Sequence, residues 1–234
     1  MLILALDTAT AACGVALAQG ESVLVEYVER LPERSHSARL LPLIEASLAA
    51  AGRARWELQA VAVTVGPGSY TGIRIGLATA KALAFGLGIP AVGVTTLEAI
   101  AYGAGPRPGL VCPVLDARRG RVYTALYRWQ EGELQVVEPP RRAEAGAWFA
   151  SLAGRPVHFT GDGLFAAGPA AAPPGGAAGF TCAHPLEAGL RPGAVAVLGA
   201  RRLAEGRGGD PRLLAPLYLG GAPAPGAGER CDGE

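Results

Sequence analysis

Lysine is almost missing from this chain. Lysine and arginine together number 21, and Lys81 is the single lysine. Beside abundant alanine, 34 glycines and 19 prolines, that bias reads as the codon usage of a GC-rich genome. Arginine abundance alone therefore gives no reason to assign nucleic-acid binding. The formal net charge is +1, so no global field is available to steer a polyanion. Cysteine is scarce as well. Cys13, Cys112, Cys182 and Cys231 lie far apart, with no Cys-x-x-Cys pair. That spacing disfavours a zinc site and gives no disulfide framework, so the four read as free thiols in a reducing cytosol. Long apolar runs free of charge, proline or glycine are absent, which argues against a membrane span. The opening MLILALDTATAACGVALA looks superficially like a secretion signal, but it has no basic start and Asp7 interrupts it. It reads as a buried strand, and the expected location is cytoplasmic.

What is present is hydrophobic mass: half of the 234 residues, enough for one large domain or two small ones. Residues 2–7, 12–18 and 22–29 read as strands. A helix follows over about 35–51, closed by Gly52. Then come strand 59–65, a helix over 70–87, strand 90–94 and a short helix capped by Thr95 or Thr96. A Gly/Pro-rich stretch at 103–109 reads as a linker, and the pattern restarts. Both starts place an apolar strand with a terminal aspartate before a hairpin: ILALD then GVALA, and VCPVLD then RVYTALY. This predicts an internal duplication, with lobes at 1–103 and 110–219. In the second half, strands 121–128, 134–138 and 156–160 and helices 143–152 and 193–206 are expected. Residues 166–179 are low-complexity and read as loop, and 220–234 as a disordered tail.

The segment VTVGPGSYTGIRIG joins a buried strand to a long apolar helix through a glycine turn. Gly66, Gly68 and Ser69 sit where backbone N–H groups could meet an anion at a helix start. No Lys-Ser or Lys-Thr follows, so it is not a Walker A loop. Asp7 and Thr10 follow the first strand. They either handle phosphate and metal, as in an actin-like ATPase, or satisfy the turn's own backbone groups. Ala9 stands where such a turn normally wants glycine. Asp116, Arg118 and Arg119 fill the matching turn of the second half, which favours an ion-paired structural turn. Thr160-Gly161-Asp162-Gly163 reads as a vestigial adenine-side turn or an ordinary connection. On helix 35–51, Leu41, Ile44 and Leu48 form a core stripe, and Leu40 and Leu43 widen it beyond the need of one sheet. Gly72, Gly76 and Ala80 recur four apart on helix 70–87, which suits close packing on the chain itself or on a second subunit. His36 has Leu40, not histidine, four residues on, so a helical metal chelate is absent. No catalytic constellation and no metal site is expected.

Together these segments resemble the TsaB family, also called YeaZ. The motifs MLILALDTAT, RSHSARLLPLI, VGPGSYTGIRIGLATAKALA and IPAVGVTTLEAIA carry the likeness, with LDARRGRVY and the late APLYL in support. The resemblance implies an α/β chain of the acetate-kinase/sugar-kinase/Hsp70/actin fold, with two lobes and a truncated second one. It implies a non-catalytic role in forming N6-threonylcarbamoyladenosine at position 37 of tRNAs that read codons beginning with A. The TsaD-type paralogue would hold the metal and transfer the group, and a TsaE-type ATPase would complete the complex. On this reading the chain needs no cofactor of its own, with ATP and metal expected in the partner subunits. It would form a homodimer when alone, meet tRNA only through the complex and avoid membranes. The partner surface is expected at His36, Leu40, Leu43, Gly72, Gly76 and Ala80. The alternatives are an ATP-dependent small-molecule kinase or ATPase of the same fold, and an M22-type glycoprotease, which the missing chelate disfavours.

Overall fold

A computed structural model describes residues 1–30, 36–166, 179–184, 188–189 and 191–220. The low-complexity stretch at 167–178, Ser35 and the expected tail from 221 onward lie outside the described residues. The first sheet holds β1 (Leu2–Asp7), β2 (Ala12–Gln19), β3 (Ser22–Arg30), β4 (Ala60–Thr64) and β5 (Ala91–Val94) in the order β3-β2-β1-β4-β5. The second holds β6 (Leu110–Asp116), β7 (Arg121–Gln130), β8 (Glu133–Glu144), β9 (Val157–Thr160) and β10 (Phe180–Cys182) in the order β8-β7-β6-β9-β10. Strand for strand the two orders are the same. In each, the first three strands pair antiparallel and the next two add in parallel. The duplication suggested by the two Asp-ended starts therefore extends through ten strands.

The helices are α1 (His36–Ala50), α2 (Tyr70–Leu87), α3 (Thr96–Gly103), α4 (Ala145–Ser151), the single turn α5 (Gly163–Ala166) and α6 (Pro192–Ala204). Local chemistry sets their ends. Ser69 caps α2 by accepting from the Gly72 N–H, and Gly88 closes it at φ 66. Thr95 caps α3 by accepting from the Glu98 N–H. Glu144 at the end of β8 accepts from the Gly146 and Ala147 N–H groups and so starts α4, two residues later than the expected 143. Pro42 sits inside α1 on an exposed position, past the first turn. β1 is buried on both faces along its whole length, which is why it reads as an unbroken apolar run rather than an alternation.

One boundary differs from expectation. α6 was assigned to the second lobe, yet it packs across β1, β2, β3, β4 and β5 of the first sheet. Beyond it the chain stays there: Gly209 bridges Ala91, and the Leu217 N–H donates to the Val65 carbonyl. The second lobe therefore ends before α6, and 192–217 complete the first. The sequence hid this because α6 is apolar almost all round, from Pro192 to Ala200 buried without a break. Such a helix matches either sheet equally well. The opposite face of the first sheet carries α1 and α2. A single apolar cluster joins Ile3, Ala62 and Val92 of the first sheet to Val111, Leu115 and Tyr127 of the second through α3 and α6. Arg202 of α6 adds an ion pair to Glu98 of α3 and donates to the Gly93 carbonyl, with both charged side chains largely buried.

Candidate functional site

The paired sheets leave a cleft between the lobes, about 580 Å³, at the C-terminal ends of β1, β4 and β6. Its walls are the β1–β2 turn (Ala9, Thr10), His36, the loop and first turn of α2 (Gly68 to Gly72), and Asp116, Arg118, Tyr123 and Asp162 from the second lobe. Sequence reading brought Asp7, Thr10, Gly66, Gly68 and Ser69 to this place. Thr10, Gly68 and Ser69 line the cleft, while Asp7 and Gly66 lie behind them and are not among its lining residues.

Asp7 is 1% exposed. Its Oδ1 accepts from the Ala9 N–H at 2.9 Å and from the Thr64 hydroxyl at 2.6 Å, so it ties the β1–β2 turn to the end of β4. Burial pushes its carboxyl up to about 6, with the two hydrogen bonds pulling the other way and Asp162 adding repulsion. Thr10 accepts from the Ala12 N–H at 3.2 Å. Of the two readings of this pair, the turn-satisfying one matches the geometry. Thr64 and Thr8 carry none of the motif signals and were missed, although both organise the site.

The glycine loop is closed in the same way. The Ser69 N–H donates to the Ala9 carbonyl at 2.7 Å. Gly68 has φ 156, and a Cβ there would overlap that same carbonyl. A Cβ on Gly66 (φ 111) would lie 2.6 Å from the Leu217 carbonyl oxygen. These glycines are required by the chain's own backbone, which occupies the ground a phosphate would need. Ser69 spends its hydroxyl on the α2 cap. The Ser69 N–H is taken by the chain itself, and no group of three or more metal-ligating side chains is present among the described residues.

The second turn is built from side chains rather than glycines. Arg118 and Arg119 both sit in the left-handed region, at φ 63 and 55. Asp116 holds the turn by accepting from the Arg118 N–H at 2.8 Å, and its carboxylate lies 3.7 Å from the exposed Arg118 guanidinium. Asp162 lines the cleft and is half-buried; desolvation raises its pKa and the Arg30 charge partly offsets that rise.

The expected partner surface needs correction. Leu40 is 1% exposed and Leu43 5%, both inside the core beneath α1. Ala80 is fully buried. Gly72 lies against Thr8, whose hydroxyl donates to the Gly72 carbonyl at 2.6 Å. A Cβ on Gly76 would stand 2.6 Å from the Thr8 Oγ1. The small-residue stripe of α2 is thus used for close packing on the chain's own β1 end. His36 places Nε2 at 3.1 Å from the Thr10 carbonyl oxygen. The outward faces carry other residues: Leu41, 54% exposed, with Ala38, Pro42 and Glu45 on α1, and Arg74, Ala78 and Phe85 on α2. Helical periodicity put Leu41 in the core stripe with Ile44 and Leu48, whereas Leu40 and Leu43 take the buried places and Leu41 faces out.

A model of the family described as TsaD, tRNA N6-adenosine threonylcarbamoyltransferase, matches residues 28–150. The tRNA threonylcarbamoyladenosine biosynthesis protein TsaB of Bacillus subtilis is 40% identical over 163 residues, covering 69% of this chain and 71% of that one. The chain belongs to the TsaB family. Its Escherichia coli member is 40% identical over 148 residues, covering 60% of this chain and 63% of that one. The solved structure of YeaZ from Pseudomonas aeruginosa is 28% identical and covers 93% of this chain and 99% of its own, with a TM-score of 0.74. The duplicated sheets of this TsaB-family chain are those of the actin-like ATPase fold. The chain is similar to proteins of threonylcarbamoyladenosine biosynthesis. No helix among the described residues is long and apolar enough to cross a membrane.

Proposed function

We propose that this chain is a non-catalytic partner of a TsaD-type transferase in forming N6-threonylcarbamoyladenosine at position 37 of tRNAs that read codons beginning with A. One observation carries the reading: the Ser69 N–H and the space above Gly68 are taken by the Ala9 carbonyl. A chain whose glycine loop is closed by its own backbone and whose second turn is filled with arginines keeps the shape of the ATPase fold without its chemistry. ATP and metal then belong to the partner subunits, the TsaD-type paralogue and a TsaE-type ATPase. tRNA is met through the assembled complex in the cytoplasm.

Titration of the isolated chain with ATP, with and without Mg²⁺, tests this directly. No saturable heat is expected at millimolar nucleotide, and no tRNA modification without the paralogue. Saturable ATP binding that is lost in Ser69→Ala would return the kinase or ATPase alternative to first place.

The outward faces of α1 and α2 form the proposed surface for the paralogue, and for a second copy of this chain when it is alone. Leu41 and Phe85 are large apolar side chains more than half exposed on neighbouring helices, each worth about 1.5–3 kcal/mol when fully covered. Leu41→Glu with Ala78→Arg places two charges there without disturbing the core. The double variant is expected to keep its melting temperature and to lose self-association in sedimentation and paralogue capture in pull-down. Retention of both by a folded double variant would move the interface to another face.

A further inference from the structure

The β6–β7 hairpin ends in a turn that glycine or asparagine would fill with less strain. Arg118 and Arg119 both stand in the left-handed region, followed by Gly120 at φ 69. An arginine held there crowds its Cβ against the following carbonyl. The turn does not need these side chains to close. The Ala117 N–H donates to the Arg121 carbonyl at 2.9 Å, and the Arg121 N–H to the Arg118 carbonyl at 3.2 Å. Strain kept at a turn that needs no arginine points to a use for the side chains rather than for the fold.

Four guanidinium groups gather here. Arg118, Arg119 and Arg121 are exposed. Arg121 and Arg142 share one face of the β7–β8 pair, opposite Glu144 and Tyr123 in the register. Arg142 is held against the turn by donating through Nη2 to the Ala117 carbonyl at 3.2 Å. Two carboxylates stand among the four, and both are engaged. Asp116 accepts from the Arg118 N–H, and its other oxygen lies 3.7 Å from the Arg118 guanidinium, whose side chain is 81% exposed. Glu144 gives both oxygens to N–H groups at the start of α4. Arg119 and Arg121 have no ion pair among the described residues. Arg141 is not part of the group: it pairs with Glu138 and lies over the Trp148 ring.

The whole chain carries a formal net charge of +1, so four arginines around two engaged carboxylates are a local excess. They sit at a hairpin tip on the rim of the cleft, which Arg118 lines. A folded acidic protein surface would meet them with carboxylates spaced among its own counter-charges. An RNA backbone carries a phosphate at every nucleotide, in a row. Planar guanidinium forks pair with phosphate oxygens two bonds at a time.

We propose that the β6–β7 hairpin, through Arg118, Arg119, Arg121 and Arg142, is a contact for the phosphate backbone of RNA. The inference rests on the partner role described above and adds which part of this chain meets the RNA. The contact positions RNA and reads no base. It is weak for the chain alone and adds to the paralogue's own hold in the complex.

The probe is a labelled, unmodified tRNA transcript titrated with the full chain between about 50 and 200 mM sodium chloride and read by fluorescence anisotropy. Binding is expected at the lower salt, with log affinity falling against log salt at a slope of about −3. Arg118→Asn with Arg119→Gly suits the left-handed turn, so its melting temperature should be no lower than the parent's. Its RNA affinity should fall about tenfold or more, and its slope should flatten by about 1.5. Arg118→Lys with Arg119→Lys keeps both charges and should keep the slope. Absence of binding at the lower salt, unchanged affinity in the Arg118→Asn, Arg119→Gly variant, or a fall in that variant's melting temperature would overturn the contact. Paralogue capture is read by pull-down on the same variants. Lost capture with unchanged RNA affinity would give the hairpin to an acidic protein surface and overturn the RNA assignment. Failure of the parent chain to capture the paralogue counts against the partner role instead, since the RNA titration needs no paralogue.

Discussion

Gly72→Val is expected to cost the folded chain several kcal/mol of stability. Gly72 sits in the first turn of α2, beneath the carbonyl of Thr8, and a Cβ there would overlap the Thr8 oxygen. The Thr8 hydroxyl grips the same residue through the Gly72 carbonyl at 2.6 Å, so the helix cannot slide away without breaking a buried hydrogen bond. Overpacking costs about 1–3 kcal/mol, and losing the hydrogen bond adds about 1 kcal/mol. Against a total stability of roughly 5–15 kcal/mol, that is a large share. Gly86 near the other end of the same helix is the control. It is exposed, and a Cβ there meets nothing within 4 Å. Gly86→Ala should stabilise by about 0.5–1 kcal/mol. Urea unfolding followed by circular dichroism reads both. A folded Gly72→Val with near-normal stability would mean that the contact between α2 and the β1 end is looser than the geometry requires. Gly76→Arg shares this fate, since its side chain would be driven into Thr8 and Val63 rather than outward.

Asp7→Asn is expected to change how stability depends on pH. Burial raises the Asp7 carboxyl to about 6 in the folded chain, above the value of an ordinary unfolded aspartate. The folded state therefore holds a proton that the unfolded state gives up. Stability from this group is full below about pH 4, falls as pH rises through 6, and stays reduced above that. The difference is on the order of 2–3 kcal/mol between the two limits. Asparagine keeps an acceptor for Ala9 and Thr64 but cannot ionise. Measured by urea unfolding, the stability of Asp7→Asn relative to the parent should rise by that amount between pH 4 and pH 8. A constant difference across the range would show that Asp7 titrates as an exposed carboxylate does.

Nine of the ten strands were legible because buried strands and their flanking turns leave strong marks. LILAL, AVAVT and LVCPVL are continuous apolar runs, and Ser69, Gly88 and Thr95 are ordinary helix signals. β10 was missed because three residues, Phe180 to Cys182, give no periodicity. The site was harder to read. The sequence places Asp7, Thr10 and the glycines together, but it cannot say whether a glycine yields to a ligand or to the chain's own carbonyl. That depends on the backbone of Thr8 and Ala9, which fills the turn and which side-chain motifs do not report. The same limit applied to Leu40 and Leu41. One helical step separates a core side chain from an exposed one, and periodicity in an alanine-rich helix does not resolve it.

The return of α6 to the first sheet has a consequence for synthesis on the ribosome. One face of that sheet, with Ile3, Ala18, Ala62 and Val92, is covered by a helix that begins only at Pro192. Domains elsewhere fold in order as they emerge. Here the first sheet must wait, with an apolar face uncovered, until residues 192–204 have been made. At ordinary elongation rates of about 5–20 residues per second, that delay lasts on the order of ten seconds. The nascent chain is a natural client for a hydrophobic-surface chaperone throughout that interval, and a transcript cut short before α6 yields a product for degradation rather than a smaller working protein.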